Sequence, residues 1–192
     1  MISVEGVLND VLRREGGFVD DPADPGGPTK HGISLRYARG IGLDIDDDGD
    51  TDRDDIELVT PERAKDLYRL DFWLVPRINM LPSEIQPQLV DFAINSGPGR
   101  AVITLQNTLD YARSEASDVL TFKPLIPDGL IGKRTISASE MTVDIVGAGI
   151  LNDSLVEARI MWLREIVRRD PVRGKFINGW VARAKEFESW AG

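Results

Sequence analysis

The sequence predicts a mainly helical fold, a bundle of helices with a small irregular or β region near residues 18–34. Three observations predict it. Apolar residues recur at three-and-four spacing in several segments, as on one face of a helix. Residues 18–34 read FVDDPADPGGPTKHGIS, a run of Pro, Gly and Asp suited to turns and a short hairpin. Hydrophobic residues make up 42% of the 192, enough for a core. A chain of this length should bury roughly 70% of the surface that its unfolded form exposes.

The elements follow in order. Val4, Val7, Leu8, Val11 and Leu12 form a one-sided stripe over residues 4–15, and Gly16-Gly17 stops that helix. Thr60-Pro61-Glu62 is a good helix start: Thr caps, Pro suits the first turn, and Glu favours the positive end. That helix runs to about Trp73, with Ala64, Leu67, Tyr68 and Phe72 on one face. Helices are also predicted near 83–95, closed by Gly97-Pro98, and at 98–115, striped by Val102, Leu105, Leu109 and Ala112. Pro124, Pro127 and Asp128-Gly129 mark a loop. Short helices around 133–148 lead to a long one near 150–169, with Trp162 as a core residue, and a last helix covers 179–190. No internal repeat or low-complexity linker interrupts the chain.

Composition excludes several classes of chemistry. With no cysteine there is no disulfide framework, thiol nucleophile or Cys-ligated zinc. A single histidine, His31, excludes His-rich zinc sites and has no settled role of its own. The apolar runs are too short to insert in a membrane. The N-terminus has no basic stretch followed by an apolar one, so synthesis in the cytoplasm without a secretory signal is expected. The net charge of -9 is local: residues 44–57 hold nine acids and one base, and the rest of the chain is close to neutral. Nothing resembles the basic footprint of a nucleic-acid binder. A monomer is expected.

Glu15 stands where the first helix meets two glycines, with Asp24 and then Thr29 following in the loop. A carboxyl on a rigid helix end is held in place, and apolar neighbours would raise its pKa and suit it to general acid work. A second carboxyl on a facing loop steadies positive charge or activates water, and a threonine hydroxyl holds that water. This is the equipment of glycoside hydrolysis. Acids beside helix ends and turns are also common for purely structural reasons, so the spacing by itself leaves both readings open.

The segment Arg14-Glu15-Gly16-Gly17-Phe18, continuing through Asp24-Pro25-Gly26-Gly27-Pro28-Thr29 to Gly32-Ile33-Ser34, closely resembles the N-terminal signature of glycoside hydrolase family 108. These are lysozyme-like N-acetylmuramidases of phages and bacteria. The resemblance implies an α+β lysozyme-like fold with Glu15 as catalytic acid. The Glu, Asp and Thr order also resembles the triad of phage-type lysozymes, which implies helper roles for Asp24 and Thr29. The Asp-to-Thr gap here is one residue shorter, and Phe18 replaces the family's usual Tyr. The resemblance continues through Thr60–Ala64, Leu67-Tyr68 and Phe72-Trp73, which look like the family's second helix. Leu89–Ala101, Leu105-Gln106, Asp128–Gly132 with Thr135, and Gly179-Trp180 with Arg183 look like the peptidoglycan-binding region that follows. It implies a catalytic region at 1–86 and a helical peptidoglycan-binding region at 87–192, packed as one globular unit.

Four further residues are candidates for binding sugar. Phe72 and Trp73 either line a cleft, since aromatic faces suit pyranose rings, or pack in the core. Asn95 and Gln106 either donate to acetamido and hydroxyl groups or bind helix ends and backbone.

Asp44 to Asp55 fits a twelve-residue EF-hand calcium loop, and also resembles the calcium loops of dockerin modules. Asp44, Asp46, Asp48, Asp52 and Asp55 fall at positions one, three, five, nine and twelve, Gly49 at six, and Asp50 offers its carbonyl at seven. One structural Ca2+ is expected. No well-patterned helix is predicted to enter the loop, so an isolated calcium loop is expected.

The function implied is that of an endolysin: cleavage of the β-1,4 bond between N-acetylmuramic acid and N-acetylglucosamine in glycan strands of peptidoglycan. The enzyme would act in the periplasm or on the cell wall after holin-type or other release. A cell-wall-binding module without chemistry and a calcium-dependent interaction domain are the alternatives. Turnover on peptidoglycan separates the first of these, and the single calcium loop argues against the second.

Overall fold

The computed structural model describes residues 2–20 and 26–188. Among them the chain is mainly helical, with one small antiparallel sheet, as the periodicity predicts. Among the described residues no helix is long and apolar enough to cross a membrane. Two compact units emerge: residues 5–70, and residues 1–4 together with 71–192.

The first unit begins on α1 (Val4–Glu15), whose Val7, Leu8 and Val11 are buried as the stripe requires. A hairpin follows, with β1 (Thr29–Lys30) antiparallel to β2 (Ile33–Ser34) and Thr29 opposite Ser34. Its two-residue turn places His31 and Gly32 at φ 51° and 80°. Two consecutive left-handed residues match the twist of a hairpin, and His tolerates that region better than most side chains. This gives His31 a local structural reason.

Two helices flank the acidic loop, contrary to the expectation that none enters it. α2 (Leu35–Ile41) starts on Ser34, whose Oγ accepts from Tyr37 N, and ends on left-handed Gly42. α3 (Arg53–Leu58) starts on a capping box made by Asp52 and Asp55. Periodicity missed both because each is under eight residues long, and capping rather than an apolar stripe defines them. α4 (Pro61–Arg69) begins on Thr60, whose Oγ1 accepts from Arg63 N. It gives way to a π-helical turn at Leu70–Leu74 instead of running on to Trp73.

The second unit is built on α5 (Gln86–Ser96), α6 (Pro98–Glu115), α7 (Lys133–Val146), α8 (Ala148–Arg169) and α9 (Ile177–Lys185). Phe92, Leu105, Leu109, Leu151, Leu155 and Ile160 are fully buried in its core. The residues near 133–148 form one continuous helix up to Gly147 rather than several short ones. Trp162 is half-buried, tilted against Phe92 at 5.4 Å with the Arg100 guanidinium 5.6 Å from its ring, so it borders the core instead of filling it. The predicted end of the last helix at 189–190 lies outside the described residues.

Candidate active site

The first unit brings Glu15 against the hairpin turn. Glu15 is the last residue of α1, and Gly16 at φ 73° turns the chain out of the helix. Its side chain is exposed, so the apolar surroundings expected from the sequence do not enclose it. The arginines of the same helical turn, Arg13 and Arg14, pair with Asp10, the latter at 2.9 Å. Val19 exchanges two backbone hydrogen bonds of 2.8 Å with Thr29, which stitches the segment after Glu15 to the free edge of β1.

Gly32 shows what converges here. A Cβ at this position would lie 2.0 Å from the Tyr68 hydroxyl oxygen and 3.1 Å from Glu15 Cγ. The phenol of Tyr68, the turn and the Glu15 side chain therefore meet around one point, and glycine is required by both space and φ. Tyr68 is 8% exposed. Burial, with the nearby Glu15 charge adding to it, pushes its phenol up to about 12. Tyr68 was legible in the sequence as a stripe residue and as part of the family-like second helix; its nearness to Gly32 and Glu15 carries no sequence signal.

Thr29 sits half-buried in β1, and its hydroxyl donates to the Gly27 carbonyl at 3.2 Å. Asp24 lies outside the described residues. Phe18 lies beneath Arg53, whose guanidinium is 5.2 Å from its ring and whose Nε is 2.9 Å from Asp20 Oδ2.

The acidic loop is organised by its own carboxylates. Asp44 Oδ2 accepts from Gly49 N at 3.0 Å, and Asp48 Oδ1 from Asp50 N at 3.1 Å. Asp55, 1% exposed, accepts from Ile45 N at 2.6 Å and from Asp52 N at 2.8 Å, one with each oxygen. These backbone donors hold the Asp55 carboxyl below the usual carboxylate range. The Asp48 charge raises Asp50. The carboxylates of Asp44, Asp46 and Asp48 could together hold a metal ion, as could those of Asp50, Asp52 and Asp55. The expected ligand set thus divides into two groups, with the Asp50 side chain, not only its carbonyl, at hand. Asp44 Oδ1 is buried and makes no hydrogen bond. A buried, unpartnered carboxylate oxygen within such a cluster suits a hard cation.

The four sugar-binding candidates lie in the second unit. Phe72 and Trp73 are half-buried in the π-helical turn, and Trp73 Nε1 donates to Gln86 Oε1 at 2.9 Å. Asn95 is exposed at the end of α5, where its amide donates to the Asp91 carbonyl at 2.7 Å. Gln106 is 2% exposed. It donates to Asp128 Oδ1 and the Leu130 carbonyl at 2.8 and 3.1 Å, and accepts from Gly129 N at 3.1 Å. Of the two readings open for Gln106, backbone binding is the one it follows: it pins the Asp128-Gly129 turn.

The same unit holds a buried charge network whose pairing the sequence does not show. Asp91 is 0% exposed and lies between Arg159 and Arg183, which are within 2.8 and 2.6 Å of its carboxylate. Burial pushes the Arg159 guanidinium down from its usual value, against the pull of Asp91. The network joins α5, α8 and α9 and is structural in character.

Residues 8–97 match the family model described as glycosyl hydrolase 108, and residues 100–185 match that of a predicted peptidoglycan domain. The chain is similar to the solved SagA of Brucella abortus, with 28% sequence identity and a TM-score of 0.67 over 96% of this chain and 90% of that one. No curated protein matches it. The helix end carrying Glu15, the hairpin and the Tyr68 contact all fall inside the first match, and the Asp91 network reaches into the second; the chain therefore carries a glycosyl hydrolase 108 domain followed by a predicted peptidoglycan domain.

Proposed function

We propose that this protein is a muramidase that hydrolyses the β-1,4 bond between N-acetylmuramic acid and N-acetylglucosamine in peptidoglycan. The observation that carries the reading is the exposed Glu15 carboxyl on a helix end, beside the hairpin turn, within the segment matched to glycosyl hydrolase 108. In this reading Glu15 protonates the leaving oxygen, and an oxocarbenium-like state develops on the sugar. Asp24 positions water or stabilises that state, and Thr29 assists through its hydroxyl. Phe72 and Trp73 offer aromatic faces to the glycan. A catalytic region at 1–86 followed by a wall-binding region at 87–192 accords with the order of the two matches. Release from the cytoplasm to the wall, by a holin or another route, and action as a monomer complete the reading.

The acidic loop serves this function as a structural calcium site. Asp44, Asp46 and Asp48 on one side, and Asp50, Asp52 and Asp55 on the other, would hold the ion and neutralise their mutual repulsion. The unpartnered Asp44 Oδ1 and the helices on either side support this assignment.

The test is turnover on purified peptidoglycan with mass spectrometry of the released muropeptides. Muramic acid at the reducing end is expected, while an anhydro end would mean lytic transglycosylation instead. Glu15→Gln keeps the shape and removes the acid, so activity should fall by about 100-fold or more. A folded Glu15→Gln chain with wild-type turnover would remove Glu15 from the mechanism. Asp24→Asn should be severely impaired and Thr29→Ala weaker but active. A wild-type chain that binds wall without releasing fragments would leave a binding module.

A further inference from the structure

We propose that Tyr68 is a positioning residue for Glu15: its hydroxyl, seated against Gly32, fixes the direction of the Glu15 side chain and stands beside the carboxylate as a neutral donor. The inference rests on the reading of Glu15 as the acid.

Its basis is geometric. A Cβ at residue 32 would lie 2.0 Å from the Tyr68 oxygen and 3.1 Å from Glu15 Cγ, so the hydroxyl and the Glu15 stem are neighbours across Gly32. The ring is buried on α4, which restricts the freedom of the hydroxyl to swing away. Glu15 itself is exposed at a helix end, where a long side chain has rotamer freedom to lose. A fixed neighbour beside its stem compensates for the absent apolar enclosure. The high phenol value keeps Tyr68 protonated through the whole neutral range, so it serves as a donor and not as a second anion. A donor beside the carboxylate stabilises the state that follows proton transfer to the leaving oxygen.

The charged groups on the surrounding elements are engaged elsewhere. Lys65 and Arg69 of α4 bind Glu5, Arg14 of α1 binds Asp10, Lys30 of β1 reaches the Glu57 carbonyl, and Arg53 of α3 pairs with Asp20. The Glu15 charge adds to the effect of burial on the phenol. His31 stands next to Gly32 in the turn, so its contribution must be separated from that of Tyr68.

The experiment compares wild type, Tyr68→Phe, Glu15→Gln, and Tyr68→Phe in a His31→Asn background, on purified peptidoglycan across the pH range. Removal of the hydroxyl favours the protonated acid and frees its rotamer. Tyr68→Phe should lower kcat about tenfold with KM little changed, and move the alkaline limb of the pH profile up by about one unit. The same shift should persist in the His31→Asn background. Its loss there would assign the limb to His31 and overturn the proposal. A folded Tyr68→Phe chain with a wild-type profile would also overturn it, as would one that fails to fold, since the hydroxyl would then belong to the fold. Wild-type turnover by Glu15→Gln would instead sink the reading on which the proposal rests.

Discussion

Asp91→Asn should be among the most destabilising single substitutions in this chain. The change keeps the shape of the side chain and removes its charge, leaving two guanidinium groups facing a neutral amide. Arg159 is 3% exposed and Arg183 13%, so neither is readily hydrated. Removing one partner of a buried ion pair costs about 3–5 kcal/mol. Arg159 pushes this toward the upper end, because its Nε and Nη1 are already buried without hydrogen-bond partners. Arg183 moderates it, because its Nη1 keeps Glu186 at 2.8 Å. For a chain of this size each kcal/mol is worth about 2–4 °C, so the melting midpoint should fall by roughly 6–20 °C. Melting followed by circular dichroism is the assay. The control is Asp170→Asn, whose pair with Arg173 at 2.9 Å is exposed on both sides. That change should cost no more than about 1 kcal/mol. Arg159→Met should cost less than Asp91→Asn, since it removes the poorly partnered charge and leaves Asp91 with Arg183. An Asp91→Asn midpoint indistinguishable from the Asp170→Asn control would refute the reasoning.

Calcium should raise the melting midpoint well above magnesium or chelator, by the equivalent of about 2.7 kcal/mol at a hundredfold excess over Kd. An Asp44→Ala, Asp46→Ala double substitution should abolish the difference, and an unchanged wild-type midpoint with no calorimetric heat would leave the loop a solvated charge run. Gly32→Ala should destabilise by more than about 1 kcal/mol, since its methyl meets the Tyr68 hydroxyl at a left-handed φ. Gly40→Ala, with open space and an ordinary helical backbone in α2, should stabilise by about 0.5–1 kcal/mol; equal effects at the two sites would contradict the hairpin geometry. The folded phenol of Tyr68 lies at about 12 against an ordinary 10.0, so its contribution to stability is complete below pH 10 and lost as pH rises toward 12. Phenolate absorbance should show one of the three tyrosines titrating late, together with unfolding, and Tyr68→Phe should lose less stability across that window.

Long amphipathic helices were legible because their apolar stripes repeat over many residues: Val7, Leu8 and Val11 in α1, and Val102, Leu105 and Leu109 in α6, are buried as the spacing requires. The short α2 and α3 were not, because one turn or two of helix is too brief for periodicity, and their caps use the same Ser and Asp residues that serve turns and ion binding. Asp55 illustrates the ambiguity: by spacing it reads as a metal ligand, and in the fold each of its oxygens also accepts a backbone N–H. Glu15 was recognisable because the signature it resembles, Glu15-Gly16-Gly17-Phe18 and the loop after it, is written in consecutive residues, whereas a carboxyl at a helix end left both readings open. The partners that surround it are not local. Gly32 and Tyr68 come from a turn and a helix 17 and 53 positions further along, and only chain folding brings a phenol oxygen to the site of a missing Cβ. Asp91 and Arg183 stand in family-like segments and Arg159 in none, and the three, spread over 92 positions, become a buried network only where three helices converge. Local patterning therefore determined the long helices and the turn chemistry, and a contiguous signature pointed to the candidate acid. Burial and long-range contact, which depend on what closes over each group, decided how Gln106 is used, what stands beside Glu15, and which charges are costly to lose.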